Sequence, residues 1–282
     1  MTESTYLIQN GTDGVGHQLH GMFTLMILHN VNDFKFDINT FRRKPFRYEH
    51  IDPSQSQQMT NYIQNVCERF IQDHGLFEKT YSNHLTCRSF SDVKSGEDTI
   101  NILDNMFSFK NIDNIDMDAI SKNIACMKDY FINDKLPPNR VGDKRIAVHI
   151  RMGDAIRYAD RRILITKLNN QLNQTLKILN KKYPEYEVKV HTDGTPEQIQ
   201  TLIQDVKNVQ ISWKTTNILD VLSDLIHSKI LVCGSSSLSI FSGFMGNKEL
   251  VIHNDDPIHS YPEHAVEIST FLKDNYGYVY DL

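Results

Sequence analysis

Arg145-Ile146-Ala147-Val148-His149-Ile150-Arg151-Met152-Gly153-Asp154 is the stretch on which the reading of this chain turns. Its first six residues are a short, largely apolar and β-branched run, the pattern of a strand buried inside a parallel sheet. The polar residues gather at its carboxyl end. Arg151 emerges there, where an anionic ligand would lie, and Gly153 lets the backbone turn tightly. A guanidinium suits a diphosphate because its planar fork donates parallel hydrogen bonds and stays charged at any working pH. A second reading stands beside this one, in which Arg151 and Asp154 form only a salt bridge at a strand end.

Downstream, strand-like runs alternate with amphipathic stretches in the order expected of a parallel sheet covered by helices. Leu164, Leu168, Leu172, Leu176 and Leu179 recur at helical spacing until Tyr183-Pro184 stops the run. Strands are expected at Glu187 to His191, Val209 to Ser212, Ile230 to Cys233 and Leu250 to His253. Between them Thr195-Pro196 opens a helix with Ile199, Leu202 and Ile203 facing inward. Asp220 to His227 reads as a short amphipathic helix, and Ser235 to Met245 as a turn followed by a helix. The fold class is α/β, and such doubly wound sheets bind ligands at the carboxyl ends of their strands.

Upstream, a Gly-rich turn from Gly11 to Gly16 precedes an apolar helix-like run through Leu19, Met22, Phe23, Met26 and Ile27. Met59 to Phe77 and Met117 to Phe131 carry apolar residues at helical spacing and read as two further helices. The adjacent prolines of Leu136-Pro137-Pro138-Asn139-Arg140 forbid helix and favour an extended connector. That divides the chain into an N-terminal domain, residues 1–138, and a C-terminal domain, residues 139–282.

Composition narrows the function classes. The chain has 282 residues, with 30 Lys and Arg against 35 Asp and Glu and a formal net charge of -5, which argues against a nucleic-acid binder that neutralises many phosphates. The first twenty residues lack a secretory signal and no later stretch is apolar enough to span a bilayer, so a cytoplasmic protein is expected. Four cysteines, Cys67, Cys87, Cys126 and Cys233, form no CxxC pair that would mark zinc or redox chemistry and are expected to be reduced and mostly buried.

Three further polar groups fall at expected strand ends. Gly234-Ser235-Ser236-Ser237-Leu238-Ser239 offers small residues, backbone N–H groups and hydroxyls to a phosphate at a positive helix end, or else is a serine-rich helix cap. Thr192-Asp193-Gly194 places a carboxylate that can accept from ribose hydroxyls, or is an ordinary turn. Asp220 can accept from both N1–H and the exocyclic amine of guanine, or is a helix N-cap. In the N-terminal half, Gly14-Val15-Gly16-His17-Gln18-Leu19-His20-Gly21 reads as a tight turn entering a helix, with His17 the first candidate for a general base and His20 the second. It is no Walker loop, since the Lys-Ser/Thr is missing.

Taken together, these motifs and their order resemble the fucosyltransferase superfamily that includes the α1,2-, α1,6- and protein O-fucosyltransferases. Gly14-Val15-Gly16-His17-Gln18-Leu19 resembles its Gly-x-Gly-Asn-Gln segment, His149 to Asp154 its His-x-Arg-x-x-Asp motif, and Asp220 through Ser239 its Asp-to-serine block. The chain differs in carrying His17 where the family usually has Asn, Met152 in place of a common second Arg, and Leu238 in place of an aromatic. The resemblance implies a GT-B fold, with two Rossmann-like α/β domains facing a cleft, and inverting transfer from GDP-fucose to a glycan hydroxyl with no metal and no cofactor. It implies that Arg151 holds the β-phosphate, His149 and Asp220 the base, Asp193 the nucleoside and Ser235, Ser236 and Ser237 the diphosphate, with Gly14, Gly16 and Asp154 also in the donor site and His17 on the acceptor side. Two alternatives remain open at this point: another donor, such as a UDP- or GDP-linked pentose or hexose, and a nucleotide- or sugar-binding module without catalysis.

Overall fold

The computed structural model describes residues 6–9, 15–32, 35–36, 53–75, 82–87, 92, 94, 99–103, 117–133, 135–138, 144–152, 159–213, 215–234, 236–253 and 265–275. The chain divides into two compact units, residues 1–136 with 258–260 and residues 137–257 with 261–282.

In the first unit, β1 (Tyr6–Gln9), β2 (Lys35–Phe36), β3 (Asn83–Cys87) and β4 (Thr99–Leu103) form a parallel sheet in the order β2-β1-β4-β3. It is joined by α1 (Val15–Asn32), α2 (Pro53–His74) and α3 (Met117–Phe131). α1 is apolar on nearly every side, and a helix of that kind belongs in an interior: every residue from Gln18 to Leu28 is buried. The polar atoms it takes inside are partly satisfied by the helix itself, as when the Thr24 hydroxyl donates to the His20 carbonyl at 2.9 Å. α2 and α3 are tied by the buried Tyr62 hydroxyl, which donates to the Phe131 carbonyl at 2.7 Å.

The second unit contains β5 (Arg145–Ile150), α4 (Ala159–Lys182), β6 (Glu187–Thr192), α5 (Pro196–Gln200), β7 (Val209–Ser212), α6 (Ile218–His227), β8 (Ile230–Cys233), α7 (Ser237–Met245), β9 (Leu250–His253), β10 (Ala265–Glu267) and α8 (Ile268–Asp274). Its six strands are all parallel, in the order β10-β9-β8-β5-β6-β7. Renumbered from β5 as the first strand, this is the 3-2-1-4-5-6 order of a Rossmann sheet, with its switch point between β5 and β8. Side chains alternate across the sheet. Ile146, Val148, Ile150 and Met152 of the β5 stretch turn to one face, where they join Leu172, Leu176 and Leu179 of α4, Ile199 of α5 and Phe271 of α8 in one apolar core.

α5 is shorter than its sequence suggests. It ends at Gln200, and Leu202 is buried from the turn that follows, its N–H bonded to the Ile199 carbonyl at 2.9 Å. Asp205 and Asn208 then adopt left-handed conformations, φ 62° and 55°, which no helix accommodates. β10 and α8 carry no signal that the sequence reading used.

The end of α6 is held by a distant lysine. Lys248 Nζ donates to the carbonyls of Leu225, Ile226 (2.6 Å) and Ser228 (2.7 Å) and to the Ser228 hydroxyl at 3.0 Å, meeting the negative end of the helix with a cation. Replacing it with alanine takes this donor from the Ile226 and Ser228 carbonyls, while the Leu225 carbonyl keeps the Ser228 hydroxyl at 3.2 Å, and is expected to cost about 1.5–3 kcal/mol. Urea unfolding checks this: an unchanged midpoint in Lys248→Ala would show the cap to be dispensable.

Candidate functional site

The odd-numbered residues of β5 and their neighbours turn to the opposite face of the second sheet, and that face is polar. Arg145 and His149 on β5 and Arg151 just past it stand beside Glu187, Lys189, His191 and Asp193 on and after β6, with Arg145 in register with Glu187 and His149 with His191. α6 covers this face and brings Asp224 into it. The Asp224 carboxylate pairs with Arg145 through one oxygen and with Lys189 through the other. Arg145 in turn donates from Nε and Nη2 to Glu187 Oε2 at 3.0 and 2.7 Å. Two cations and two anions thus balance in a space where Arg145 is 5% and Asp224 7% exposed. Burial of this kind is tolerable only because each charge meets an opposite one.

Toward the carboxyl ends of the strands the same face carries two imidazoles. His191 is 1% exposed, its Nε2 lies 3.6 Å from Asp224 Oδ2, and among the described residues neither ring nitrogen has a hydrogen-bond partner; nor has the buried Nδ1 of His149. Burial pushes the His149 pKa down to about 4, with Asp193 acting against the shift and Arg151 adding to it. Burial also drives His191 well below its ordinary value, helped by His149, Lys189 and Arg145. Both rings are therefore neutral at neutral pH. The unfolded chain binds protons on both below about pH 6.5 while the fold does not, so stability falls as pH drops from there toward 4. Near pH 5 His149 is expected to contribute a slope of about 1.2 kcal/mol per pH unit, and His191 adds to it in the same direction. Urea midpoints between pH 7 and 5 for the wild type and a His149→Asn/His191→Asn variant test this; an equal slope in both would refute it.

At the switch point the sequence-predicted residues are partly assembled. The Gly234 N–H donates to the His149 carbonyl at 2.9 Å, which extends the pairing of β5 with β8 to the end of both strands. Arg151 and the Ser236-Ser237 turn therefore leave neighbouring parallel strands at the same edge. Ser236 is the N-cap of α7 and makes no side-chain cap bond, while Ser237 is the first helical residue; both are buried. Ser239 is used differently, its hydroxyl donating to the Ser236 and Gly234 carbonyls at 2.9 and 3.3 Å. The N–H groups of the first turn of α7 have no helical carbonyl to meet, which makes this end a place for an anion.

Asp193 has a structural task as well. One carboxylate oxygen accepts the Met152 N–H at 2.5 Å, tying the ends of β5 and β6 beside Arg151. Gly194 follows because a side chain there would press on Met152 Sδ at 2.9 Å. Asp220 lies exposed in the first turn of α6, and it is not the cap of that helix: Asn217 Oδ1 accepts the Leu219 N–H at 2.9 Å and fills that role. The N-cap reading of Asp220 is thereby removed.

In the first unit, Gly16 and His17 sit in the opening turn of α1, partly exposed, rather than in a loop before it. His20 is a correction. It lies within the enclosed run of α1 from Gln18 to Leu28, 0% exposed, so it is no residue at the mouth of a turn. Gly14, Asp154 and Ser235 lie outside the described residues, as does Gly153. Among the described side chains Cys67 and Cys233 are free and buried, in keeping with the expectation of mostly buried thiols, and Cys126 is free and exposed on α3; the Cys87 side chain lies outside them.

The sequence reading missed Arg145, Glu187, Lys189, His191 and Asp224 as a group. A signal was present: Glu187, Lys189, His191 and Asp193 alternate strictly with Val188, Val190 and Thr192. Such alternation ordinarily marks a strand with one face in water, whereas here a helix covers it. Among the described residues no group of three or more His, Cys, Asp and Glu is placed to hold a metal ion, and no helix is long and apolar enough to cross a membrane.

No protein-family model matches the chain, and no curated protein does. Among solved structures it is similar to the E. coli heptosyltransferase WaaC with ADP-2-deoxy-2-fluoro heptose, at 10% identity over 96% of this chain and 99% of that one, TM-score 0.45. A mutant of Arabidopsis thaliana FUT1 in complex with GDP is 10% identical over 92% of this chain and 72% of that one, TM-score 0.47. POFUT1 in complex with GDP-fucose is 11% identical over 94% and 98%, TM-score 0.46. At such identities and TM-scores these are distant likenesses of overall fold, and they leave the chemistry of this chain to its own residues.

Proposed function

We propose that the chain is a GT-B glycosyltransferase that takes a sugar from a nucleoside diphosphate donor, with GDP-fucose the leading candidate, and transfers it with inversion to a glycan hydroxyl. One observation carries the reading: Arg151 and the Ser236-Ser237 turn leave neighbouring strands at the switch point of a Rossmann sheet, the place where such sheets bind nucleotides.

The chemistry assigned to the residues follows from charge. An acceptor oxygen attacks the anomeric carbon as its bond to the diphosphate opens, and the electron pair of that bond goes to the leaving β-phosphate. Arg151 and the N–H and O–H donors at the start of α7 meet that charge, the kind of prearranged electrostatics that usually dominates catalysis. No metal is required on this reading, since a guanidinium and a helix end supply the positive charge. Asp220 accepts from the Watson–Crick edge of guanine, with His149 against the base and Asp193 toward the nucleoside. Gly16 joins the donor set, and His17 belongs to the acceptor side, taking the proton that the attacking hydroxyl loses. Asp154, Gly14 and Ser235 complete the proposed donor set.

The test is a panel of nucleotide sugars incubated with the protein, with released nucleoside diphosphate measured in the presence and absence of EDTA. Release from GDP-fucose that survives EDTA is expected, together with a thermal shift by GDP larger than that by UDP. A preference for UDP-sugars would overturn the role of Asp220. No release from any donor, with no thermal shift by any nucleotide, would overturn the whole reading.

A further inference from the structure

α6 carries two carboxylates four residues apart with opposite fates. Asp220 in its first turn is exposed, and Asp224 one turn later is buried and paired with Arg145 of β5 and Lys189 of β6. Residues at i and i+4 share one helix face, so the face that presses Asp224 onto the sheet is also the one that presents Asp220. α6 links parallel strands β7 and β8, so it runs back against them and its first turn lies toward their carboxyl ends.

The spacing along the two elements also agrees. Asp224 pairs with Arg145 and Lys189 and lies 3.6 Å from His191, which is in register with His149. From Asp224 to Asp220 the helix advances about 6 Å at 1.5 Å per residue. From His149 to Arg151 the strand advances about 6.6 Å at 3.3 Å per residue. The carboxylate of the exposed turn is thus carried toward the carboxyl end of the strand, where Arg151 stands, and the ion contacts of Asp224 are among those that fix its height there.

We infer that Asp224 is a positioning residue for Asp220: its paired ion contacts to Arg145 and Lys189 hold α6 at the height that lets Asp220 reach the base of a bound nucleotide. This rests on the donor-site reading given above. Asp224 touches no ligand in this account and acts only through the helix.

The obvious variant, Asp224→Asn, leaves the buried Arg145 and the half-buried Lys189 with Glu187 as their remaining anion and is a poor test, because a loss of folding would mimic a loss of binding. Asp224→Glu keeps the charge and both pairings but lengthens the arm by one methylene. Asp224→Asn/Lys189→Met removes one charge of each sign and keeps the remaining pair balanced. Each is compared with Asp220→Asn by calorimetric titration with GDP and, as a probe without a base, inorganic pyrophosphate, after circular dichroism confirms the fold.

The wild type is expected to bind GDP more tightly than pyrophosphate. Asp220→Asn, Asp224→Glu and the charge-balanced pair should each lose about tenfold in GDP affinity and keep pyrophosphate affinity within twofold. In the Asp220→Asn background, Asp224→Glu should cause no further loss, because it acts through the residue already removed. Additive losses in that double variant, equal losses for both ligands, or an unchanged preference for GDP in folded Asp224 variants would overturn the inference while leaving the donor-site reading intact. A wild type without preference for GDP over pyrophosphate would instead overturn the donor-site reading, and this inference with it.

Discussion

Arg151→Ala is expected to lower kcat/KM for donor consumption by about a hundredfold to a thousandfold, the effect of removing one strong electrostatic donor to a developing oxyanion, worth ~2.7–4 kcal/mol. Arg151 stands just past the end of β5, outside the apolar core, so the folded state should survive the change. Arg151→Lys separates charge from geometry. Lysine restores a cation but cannot donate two parallel hydrogen bonds to a phosphate, so it should recover only part of the loss. The measurement is nucleoside diphosphate release under conditions where urea midpoints match the wild type. Activity of Arg151→Ala within threefold of wild type would remove Arg151 from the mechanism.

A second large effect is expected at the other end of the same strand. Arg145→Met removes the cation shared by Glu187 and Asp224, leaving Lys189 to face both carboxylates in a nearly dry space. Removing one partner of a buried ion pair typically costs 3–5 kcal/mol, because the charge left behind is uncompensated. A loss of about that size is expected in urea unfolding. Adding Glu187→Gln should recover part of it by restoring one cation to one anion. A loss below about 1 kcal/mol for Arg145→Met would mean that water reaches the network and screens it, as at an exposed pair.

The contrast between these two arginines marks how far the sequence was legible. Arg151 was readable as a candidate ligand residue because it follows a buried apolar run and stands at the carboxyl end of a parallel strand, where such sheets bind ligands. β5, β7, β8, β9 and α3 lie where local pattern put them, β6 is one residue longer than read, and α6 begins two residues earlier. That last difference is informative: Asn217, not Asp220, caps the helix. Asp224 was illegible for the opposite reason, since an aspartate in the middle of a ten-residue helix is ordinarily solvated.

His20 shows the same limit. Its neighbours suggested a polar mouth, yet α1 is enclosed on all sides and the imidazole is carried inward with Leu19 and Phe23.

By itself the sequence determined the kinds of element in the second unit, much of their extent, and the polar residues at the ends of β5, β6 and β8. Those features depend on residues within a few positions of one another: side-chain period, proline placement, small residues at turns. Only the tertiary structure decided the strand order, and with it that β5 and β8 are neighbours at a switch point. It alone also decided that a charged strand face would be covered rather than wet. Arg145 and Asp224 are 79 positions apart, and no local preference records that their charges will meet. A buried ion network exists only once the chain has already brought its members together.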